Sequence, residues 1–252
     1  MSHYINNKWN AQFSGFELVE NIVHIWSVPL SIDAKTQNKY WSVLSDEEKS
    51  RANRYKFDIL KTKFIACRGV LRLLMGAYLG IDANQVEISY IKNGKPNHHS
   101  NLEFNVSHSE DWAVIGFTLD TILGIDIECI KRNIEFEDIA RRFFSLEESK
   151  LVINSPKEQL ALYFYNCWTR KEAFVKALGD GLSFPLDQFE VSCVPSDPPQ
   201  LLKTKWDKTE ATKWSLWGFE KDQDYVGAIT LKGPSKELLY YTWDHTSPTL
   251  EV

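Results

Sequence analysis

The sequence predicts an α+β fold built from two similar halves. In each half a capping-box sequence opens a short helix, a long helix ending in Leu-Gly follows, and strands that pair as a hairpin come after it. This repeated order indicates a duplicated unit, although a helix followed by a hairpin is also a common arrangement by chance. We expect an N-terminal half over residues 1–120 and a C-terminal half over residues 121–252.

The first half begins with a weakly patterned arm over residues 1–20, which we expect to be only partly ordered. Ser45, followed three residues later by Glu48, predicts a helix start because these side chains can cap the amides of the first turn. The apolar periodicity of residues 64–80 predicts a second, longer helix. Strands are predicted at residues 21–29, 86–91, 102–108 and 112–119, with turns at 92–96 and 109–111.

The second half repeats this order. Ser145 and Glu148 form the second capping box, and a long helix is predicted over residues 160–179, where Gly179 is a typical stop signal. Strands are predicted at residues 123–130, 188–193, 213–220 and 225–231, the last two as a hairpin, with a surface loop at 194–208. A C-terminal tail is expected from about residue 233. Its candidate docking residues are Tyr240, Tyr241 and Trp243.

The composition is that of an ordinary globular protein. Hydrophobic residues make up 43% and charged residues 25% of the chain, and the formal net charge is −5. This acidity argues against bulk binding of nucleic acid, so an anionic ligand would need local clusters of basic residues. The chain starts without a secretory pattern, and no apolar run approaches the roughly 20 residues of a membrane span. We therefore expect a cytoplasmic protein with no membrane partner.

The four cysteines are Cys67, Cys129, Cys167 and Cys193. None forms a Cys-x-x-Cys pair, which argues against a zinc site. Three of them lie in apolar-periodic segments and are expected to be buried, a pattern that fits a reducing compartment.

Two carboxylates stand out in the strand predicted at residues 123–130. Side chains alternate along a strand, so Asp126 and Glu128 share one face while Ile125 and Ile127 share the other. Carboxylates this close repel each other unless a cation lies between them, and oxygen ligands of this kind suit Mg²⁺ or Mn²⁺. The plain alternative is a strand whose polar face is simply exposed to solvent.

The helix over residues 167–179 carries the second group of interest. Glu172 and Lys176 stand four residues apart and therefore share one stripe, while an apolar stripe holds Trp168, Phe174, Val175 and Leu178. The plain alternative is a surface ion pair of small energetic value.

Taken together, these segments resemble the two signature blocks of the 4′-phosphopantetheinyl transferases, and the chain is similar to the long Sfp (surfactin-synthetase-activating) type. The blocks are Gly-Ile-Asp-Ile-Glu at 124–128 and Trp-Thr-Arg-Lys-Glu-Ala-Phe-Val-Lys-Ala at 168–177. Further matching motifs are Gly-Lys-Pro at 94–96, Phe-Asn-Val-Ser-His-Ser at 104–109, Arg-Phe-Phe-Ser at 142–145 and Gly-Leu-Ser at 181–183. The resemblance thus spans most of residues 44–192.

The resemblance implies a fold and a reaction. Such transferases are single chains of two pseudo-symmetric α+β halves, with the active site and coenzyme A in the cleft between them. They move the 4′-phosphopantetheine arm of coenzyme A onto a serine hydroxyl of an acyl or peptidyl carrier protein and release adenosine 3′,5′-bisphosphate. Because the two fused halves already form the cleft, we expect a monomer.

The resemblance also implies roles for the residues of the two blocks. Asp126, Glu128 and Glu172 match the carboxylates that hold Mg²⁺ against the pyrophosphate of coenzyme A, with Mn²⁺ as an alternative. Ile127 stands between two of them and cannot be a ligand. Glu172 is the better candidate for the general base, and Lys176 matches the other proposed base. Lys176 could instead stabilise the charge of the leaving group, and the sequence leaves these alternatives open.

Coenzyme A is expected to contact the first half. Ser107 and His108 match residues that touch the phosphates, although a Ser-His-Ser sequence alone is more typical of a turn. Lys95 matches a position that contacts the nucleotide. The predicted cations around the 3′-phosphate are Arg51 and Lys63, with Arg54 as a further candidate. For all three, a solvated helix face is the alternative.

Carrier proteins are acidic helical bundles, which the family docks near the first helices of the second half. Positive charge is expected there from Arg141, Arg142, Lys150, Arg170 and Lys171. Two other function classes stay open: a metal-dependent phosphohydrolase or nuclease that uses the same carboxylates, and a module that binds coenzyme A or a carrier without turnover. The sequence does not name the carrier, which could belong to fatty-acid, polyketide or peptide synthesis.

Overall fold

The computed structural model describes residues 9, 13, 15–90, 94–131, 133–181 and 184–246. Within these ranges the helices are α1 (Ala34–Val43), α2 (Asp46–Asn53), α3 (Asp58–Leu79), α4 (Phe136–Phe143), α5 (Leu146–Ile153) and α6 (Leu160–Leu178). The strands are β1 (Ile22–Pro29), β2 (Ser89–Tyr90), β3 (Pro96–Asn97), β4 (Leu102–Ser109), β5 (Trp112–Leu119), β6 (Leu123–Cys129), β7 (Phe189–Val191), β8 (Leu201–Thr204), β9 (Trp214–Lys221), β10 (Tyr225–Lys232) and β11 (Glu237–Thr242). The predicted α+β class is confirmed.

The larger sheet has the strand order β11-β1-β5-β4. Strands β1, β5 and β4 are antiparallel neighbours, whereas β11 lies parallel to β1. The long helix α3 covers one face of this sheet, where its buried residues share an apolar core with Phe104 of β4 and Phe117 of β5. Alternate residues of the same strands, such as Val23 and Val114, point to the other face and pack against Ile125 of β6.

The second sheet has the order β6-β10-β9, and all its strands are antiparallel. Helix α6 lies directly against β6 because residue 124 is a glycine. A Cβ atom there would lie 2.0 Å from the carbonyl oxygen of Ala173 and 2.5 Å from the amide nitrogen of Ala177. The close approach brings the polar side chains of β6 and α6 into one place.

Strands β4 and β6 meet where the two halves join, through side chains of β4 rather than its backbone. We call the three residues Asn105, Ser107 and Ser109 the side-chain ladder. Each accepts a hydrogen bond from a backbone amide of β6. The bonds run from Ile125 N to Asn105 Oδ1 (2.9 Å), from Ile127 N to Ser107 Oγ (3.3 Å) and from Cys129 N to Ser109 Oγ (3.1 Å).

Both capping boxes are confirmed, with reciprocal hydrogen bonds between Ser45 and Glu48 and between Ser145 and Glu148. Several predicted bounds differ from the observed ones. The long helix of the first half begins at Asp58 rather than at residue 64, and the apolar residues of its first turn, Ile59 and Leu60, are exposed and so do not continue the buried stripe. Of the strand predicted at 86–91, only β2 is observed among the described residues, and residues 91–93 lie outside them. The predicted loop at 194–208 contains β8, which pairs with β7.

The segment predicted as a C-terminal tail contains β11, which joins the sheet of the first half. Tyr240 and Tyr241 are buried as predicted, and the Trp243 indole donates to the Tyr40 hydroxyl (2.9 Å). In the N-terminal arm, Trp9 is buried against Tyr240, while most of residues 1–14 lie outside the described part. The division of the chain at residue 120 stays a prediction.

All four cysteines carry free thiols. Cys67, Cys167 and Cys193 are buried, as the apolar patterning predicts, and Cys129 is partly exposed. Among the described residues, no helix combines the length and the apolar character that crossing a membrane requires.

Candidate active site

Strand β6 and helix α6 face one cavity of about 500 Å³ at the junction of the two halves. The first half contributes the loop before β3 and the end of β4, and the second half contributes β6 and α6. Among the residues that line this cavity are Lys95, Ser107, His108, Asp126, Glu128, Trp168, Glu172 and Lys176. Residues that the sequence analysis selected in separate segments are therefore brought together.

Asp126 is buried in this cavity, with 3% of its surface exposed. Its Oδ1 atom accepts hydrogen bonds from Ser107 Oγ (2.9 Å) and Lys176 Nζ (2.6 Å). Its Oδ2 atom is also buried and has no hydrogen-bond partner among the residues that the structure describes. A buried carboxylate oxygen without a partner is costly, so this geometry does not fit the alternative of a simple solvent-exposed strand face.

The cavity gathers negative charge. Burial, followed by the charges of Asp126 and Glu128, raises the pKa of Glu172 to about 7 against the opposing charge of Lys176. Burial also raises the pKa of Glu128, with the charge of Asp126 as the next cause. The Glu128 carboxylate accepts a hydrogen bond from Ser109 Oγ (2.8 Å). A cation among these three carboxylates would relieve their mutual repulsion.

Lys176 reaches across the cavity to β6. Its ammonium group pairs with Asp126 (2.6 Å) and donates to Ser107 Oγ (2.8 Å). The plain alternative for this spacing was a surface ion pair between Glu172 and Lys176. It does not describe this site, because Lys176 pairs with Asp126 and Glu172 is buried.

The sequence analysis missed the position of Trp168. It assigned the indole to the apolar stripe of α6, but Trp168 lines the cavity together with Glu172 and Lys176. The sequence could have predicted this position, because Trp168, Glu172 and Lys176 follow one another at intervals of four residues and therefore share one stripe of the helix. Trp168 also contacts the rings of Phe143 and Phe144, at the end of α4 and just after it.

Ser107 is fully hydrogen-bonded in this arrangement. A hydroxyl offers one donor and two acceptor positions. Ser107 Oγ donates to Asp126 and accepts from Lys176 Nζ and from the amide of Ile127. Its predicted contact with a phosphate would therefore require one of these bonds to be exchanged, and that contact stays a prediction.

Lys95 and His108 lie on the first-half side of the cavity. Lys95 Nζ donates to the carbonyl oxygens of Leu123 (3.3 Å) and Ala177 (3.1 Å), and burial lowers its pKa. It thus connects the start of β6 with the end of α6. The His108 side chain reaches solvent at one edge, and its pKa is lowered by partial burial and then by the charge of Lys176.

A second cavity, of about 350 Å³, adjoins the first and shares His108 with it. Two of the predicted phosphate-binding cations, Arg51 and Lys63, line it, and Lys63 also forms an ion pair with Asp111 (3.0 Å). Arg68 lines it as well and was not among the sequence-predicted candidates. Arg54, at the end of α2, is exposed and is not among the described residues that line this cavity.

The predicted carrier-docking charges divide into two groups. Arg141, Arg142 and Lys150 are exposed on α4 and α5. The prediction is wrong for Arg170 and Lys171, which are 2% and 0% exposed. Arg170 donates to Ser192, and helix spacing turns both residues toward the core of the second half.

Lys171 is enclosed by acceptors. Its ammonium pairs with Glu148 (2.8 Å) and donates to the carbonyl oxygens of Leu186 and Phe189 (2.7 Å each). A carboxylate oxygen of Glu148 and the Sγ atoms of Cys167 and Cys193 lie within 4.8 Å of one another, which is close enough to hold a metal ion. Because the Lys171 charge already neutralises Glu148 and burial raises the pKa of Cys167, this cluster is structural.

Comparison with known proteins identifies relatives across most of the chain. The model of the 4′-phosphopantetheinyl transferase N-terminal family matches residues 33–118, and that of the 4′-phosphopantetheinyl transferase superfamily matches residues 122–230. The 4′-phosphopantetheinyl transferase HetI of Nostoc sp. (strain PCC 7120) is 33% identical over 234 residues, which cover 91% of this chain and 95% of HetI.

A second relative, the 4′-phosphopantetheinyl transferase Sfp of Bacillus subtilis (strain 168), is 33% identical over 65% of this chain and 71% of Sfp. Among solved structures, a holo-[acyl-carrier-protein] synthase of Thermotoga maritima aligns with a TM-score of 0.36 and 22% identity, over 45% of this chain and 64% of that chain. Because two family models match most of its length and HetI is 33% identical over 91% of it, the chain belongs to the 4′-phosphopantetheinyl transferase superfamily.

Proposed function

We propose that this transferase moves the 4′-phosphopantetheine arm of coenzyme A to a serine of a carrier protein with the help of Mg²⁺ held by Asp126, Glu128 and Glu172. The observation that carries the metal assignment is the buried Asp126 Oδ2 atom, which has no hydrogen-bond partner within the described ranges. It lies beside two further carboxylates, Glu128 and Glu172, whose pKa values are raised by burial and then by the charge of Asp126.

The donor set fits Mg²⁺ better than a softer metal. All three side chains offer only oxygen, and Mg²⁺ is typically bound by one or two carboxylates together with water and substrate phosphates. When bound, the ion would offset the negative charge of the pyrophosphate and so favour attack by the serine oxygen. Glu172 and Asp126 would no longer repel each other without compensation.

For the proton transfer we propose Glu172 as the general base. A base works best when its pKa lies near the working pH, and the pKa of Glu172 is raised to about 7. The serine proton would pass to the Glu172 carboxylate as the serine oxygen bonds to phosphorus. The bond between that phosphorus and the bridging oxygen would break, and adenosine 3′,5′-bisphosphate would leave.

Lys176 has a different role in this proposal. Its ammonium already donates to Asp126 and Ser107, which suits a fixed positive charge rather than a proton acceptor. It would stabilise the negative charge that develops on the leaving phosphate. Of the two candidate bases, we therefore propose Glu172 as the base and Lys176 as the group that stabilises charge.

Coenzyme A would extend over both cavities. Arg51 and Lys63 in the second cavity suit the 3′-phosphate, since two cations beside the apolar ring of Phe64 can hold an anion next to a flat base. His108 stands where the two cavities meet, so it would face the pyrophosphate. Because both halves of one chain line this cleft, we propose that the chain acts as a monomer.

The carrier protein would dock on α4 and α5. These helices expose Arg141, Arg142 and Lys150 around Leu146, whose side chain is 64% exposed. The three cations lie in the last turns of the two helices, whose first turns carry acidic residues, so these cationic last turns are the part that suits an acidic helical bundle. Trp168 connects this surface to the cavity through its contact with Phe143.

The test is intact-mass spectrometry of an apo carrier protein incubated with this chain, coenzyme A and Mg²⁺. We expect the mass of one phosphopantetheine to be added, and we expect EDTA to prevent the addition. Loss of phosphate from coenzyme A with no modified carrier would favour the phosphohydrolase alternative. Transfer that continues unchanged in EDTA would refute the metal assignment while leaving the transferase activity intact.

A further inference from the structure

We propose that Ser109 is a positioning residue that orients Glu128 for the metal, an inference that rests on the proposed function. Ser109 lies at the end of β4, in the side-chain ladder that joins the two halves. It is the last residue of the Phe-Asn-Val-Ser-His-Ser motif at 104–109, within which the resemblance implies roles only for Ser107 and His108. The inference comes from the bonds that its hydroxyl makes.

The ladder has a constant register. Asn105, Ser107 and Ser109 occupy alternate positions of β4, and each accepts the amide of the residue twenty positions further along the chain. Side chains here replace the backbone carbonyls that a neighbouring strand would normally offer. The ladder therefore fixes where β6 lies relative to β4.

The two serines make a second bond that Asn105 does not make. Ser107 Oγ donates to Asp126 (2.9 Å), and Ser109 Oγ donates to Glu128 (2.8 Å). In both cases the acceptor is the residue just before the one whose amide the same serine accepts. A hydroxyl can accept from a backbone amide and donate its proton at the same time, so one group ties a carboxylate to the backbone beside it.

Asn105, the remaining residue of the side-chain ladder, has no carboxylate opposite it. The residue that precedes Ile125 is Gly124, which has no side chain, and the β4 residue opposite it is an asparagine rather than a serine. Hydroxyls thus stand opposite the two carboxylates, and an amide stands opposite the glycine. The serines match the carboxylates in number and register, which points to orientation of these groups in addition to the joining of strands.

Ser109 gives a cleaner test than Ser107. Ser107 also accepts a hydrogen bond from Lys176, so its loss would disturb a second polar group of the site. Ser109 bonds only to Glu128 and the Cys129 amide in the described hydrogen-bond network. Hydrogen-bond partners of metal ligands typically contribute about 10- to 100-fold in metal affinity.

The experiment measures Mn²⁺ binding to the full chain with coenzyme A and without a carrier, so that no turnover occurs. The loss of the free Mn²⁺ signal in electron paramagnetic resonance gives the dissociation constant. We compare Ser109→Ala, Ser109→Thr and Asn105→Ala with the wild-type chain. Thermal unfolding of each variant without metal reports the contribution of each rung to stability.

We expect Ser109→Ala to bind Mn²⁺ about tenfold more weakly and Ser109→Thr, which keeps the hydroxyl, to bind close to wild type. Asn105→Ala is expected to lower the melting temperature without a comparable loss of Mn²⁺ affinity. The inference is refuted if Ser109→Ala binds Mn²⁺ like wild type, or if both alanine variants weaken binding equally, since then the ladder only joins the halves. If wild type itself binds no Mn²⁺, the proposed metal site fails first, and this inference fails with it.

Discussion

The two halves of the molecule share one arrangement of ion pairs, which we call the brace, in different surroundings. In each half the glutamate of the capping box also binds a cation of the long helix: Glu48 pairs with Arg68 and Arg72 of α3, and Glu148 pairs with Lys171 of α6. The cap thus connects the start of a short helix to the middle of the long one.

The two braces differ in whether their cations are exposed to a cavity. In the first half, Arg68 is 11% exposed at its side chain and lines the second cavity. In the second half, Lys171 is fully buried, and its three N–H donors are used by Glu148 and two carbonyl oxygens. The same motif therefore supports a cation that faces the second cavity in one half and a fully buried ion pair that holds α6 in the other.

The largest effect is expected from the second-half site. Asp126→Ala should lower the rate of carrier modification by at least about a thousandfold, because it removes a proposed metal ligand and the partner of Lys176. The fold should persist, as judged by circular dichroism. Asp224→Ala, at an exposed turn of the β9–β10 hairpin, is the control with the same change of charge. Near-normal activity of Asp126→Ala would refute the site.

The comparison of the braces predicts unequal losses of stability. Lys171→Met should lower the free energy of unfolding by about 3–5 kcal/mol, because Glu148 would stay buried without its cation. Arg68→Met should lower it by no more than about 2 kcal/mol, since Arg72 still pairs with Glu48. Urea unfolding of both variants measures the difference, and equal losses would contradict the distinction drawn between the halves.

The halves should also respond to acid with opposite signs. Burial lowers the pKa of His24, on β1, to about 4. Between about pH 6.5 and 4 this imidazole is therefore protonated in the unfolded chain but neutral in the folded chain. Stability should therefore fall by about 3 kcal/mol as the pH drops from 6.5 to 4.

In the second half, the raised pKa of Glu172 favours the folded state at low pH, and that contribution is lost as the pH rises through about 7.

Urea unfolding at several pH values, with and without His24→Gln, measures the first-half contribution. The variant should lose the decline in stability between pH 6.5 and 4 that this imidazole causes. His99→Gln, at an exposed position, serves as the control and should follow wild type. An unchanged pH dependence in His24→Gln would show that His24 does not cause the decline.

The smallest effects should separate the two substrates. Arg51→Ala in the first half should raise the KM for coenzyme A several-fold, and Arg142→Ala in the second half should raise the KM for the carrier by a similar factor, about 1 kcal/mol each. Added salt should raise the KM for the carrier in wild type and less so in Arg142→Ala. If both variants changed the same KM, the proposed assignment of Arg51 to coenzyme A and of Arg142 to the carrier would be wrong.

Local patterns in the sequence were enough to predict many elements of this fold. Capping boxes and Gly179 act within one helical turn, so their effects are visible in a few neighbouring residues. The meeting of Asp126, Glu128 and Glu172 was predicted only through the family resemblance. Its physical cause, the close approach of α6 at Gly124, depends on a contact between distant parts of the chain.

Burial of charged residues was harder to predict. Lys171 and Arg170 stand beside Glu172 in the sequence, yet they point into the core while Glu172 faces the cavity. A helix turns each successive residue by about 100°, so neighbours in sequence face different surroundings. The role of Ser109 depends on the register between β4 and β6, which no local pattern contains.

Strand β11 has a consequence for protein engineering. A fragment that stopped at residue 120 would lack β11, and the edge of β1 that β11 covers would present unpaired backbone groups to other molecules. The complementary fragment would carry β11 with no sheet to join. The two pieces are therefore suited to reassembly from co-expressed fragments, in which the return of β11 to β1 would report that the transferase has been rebuilt.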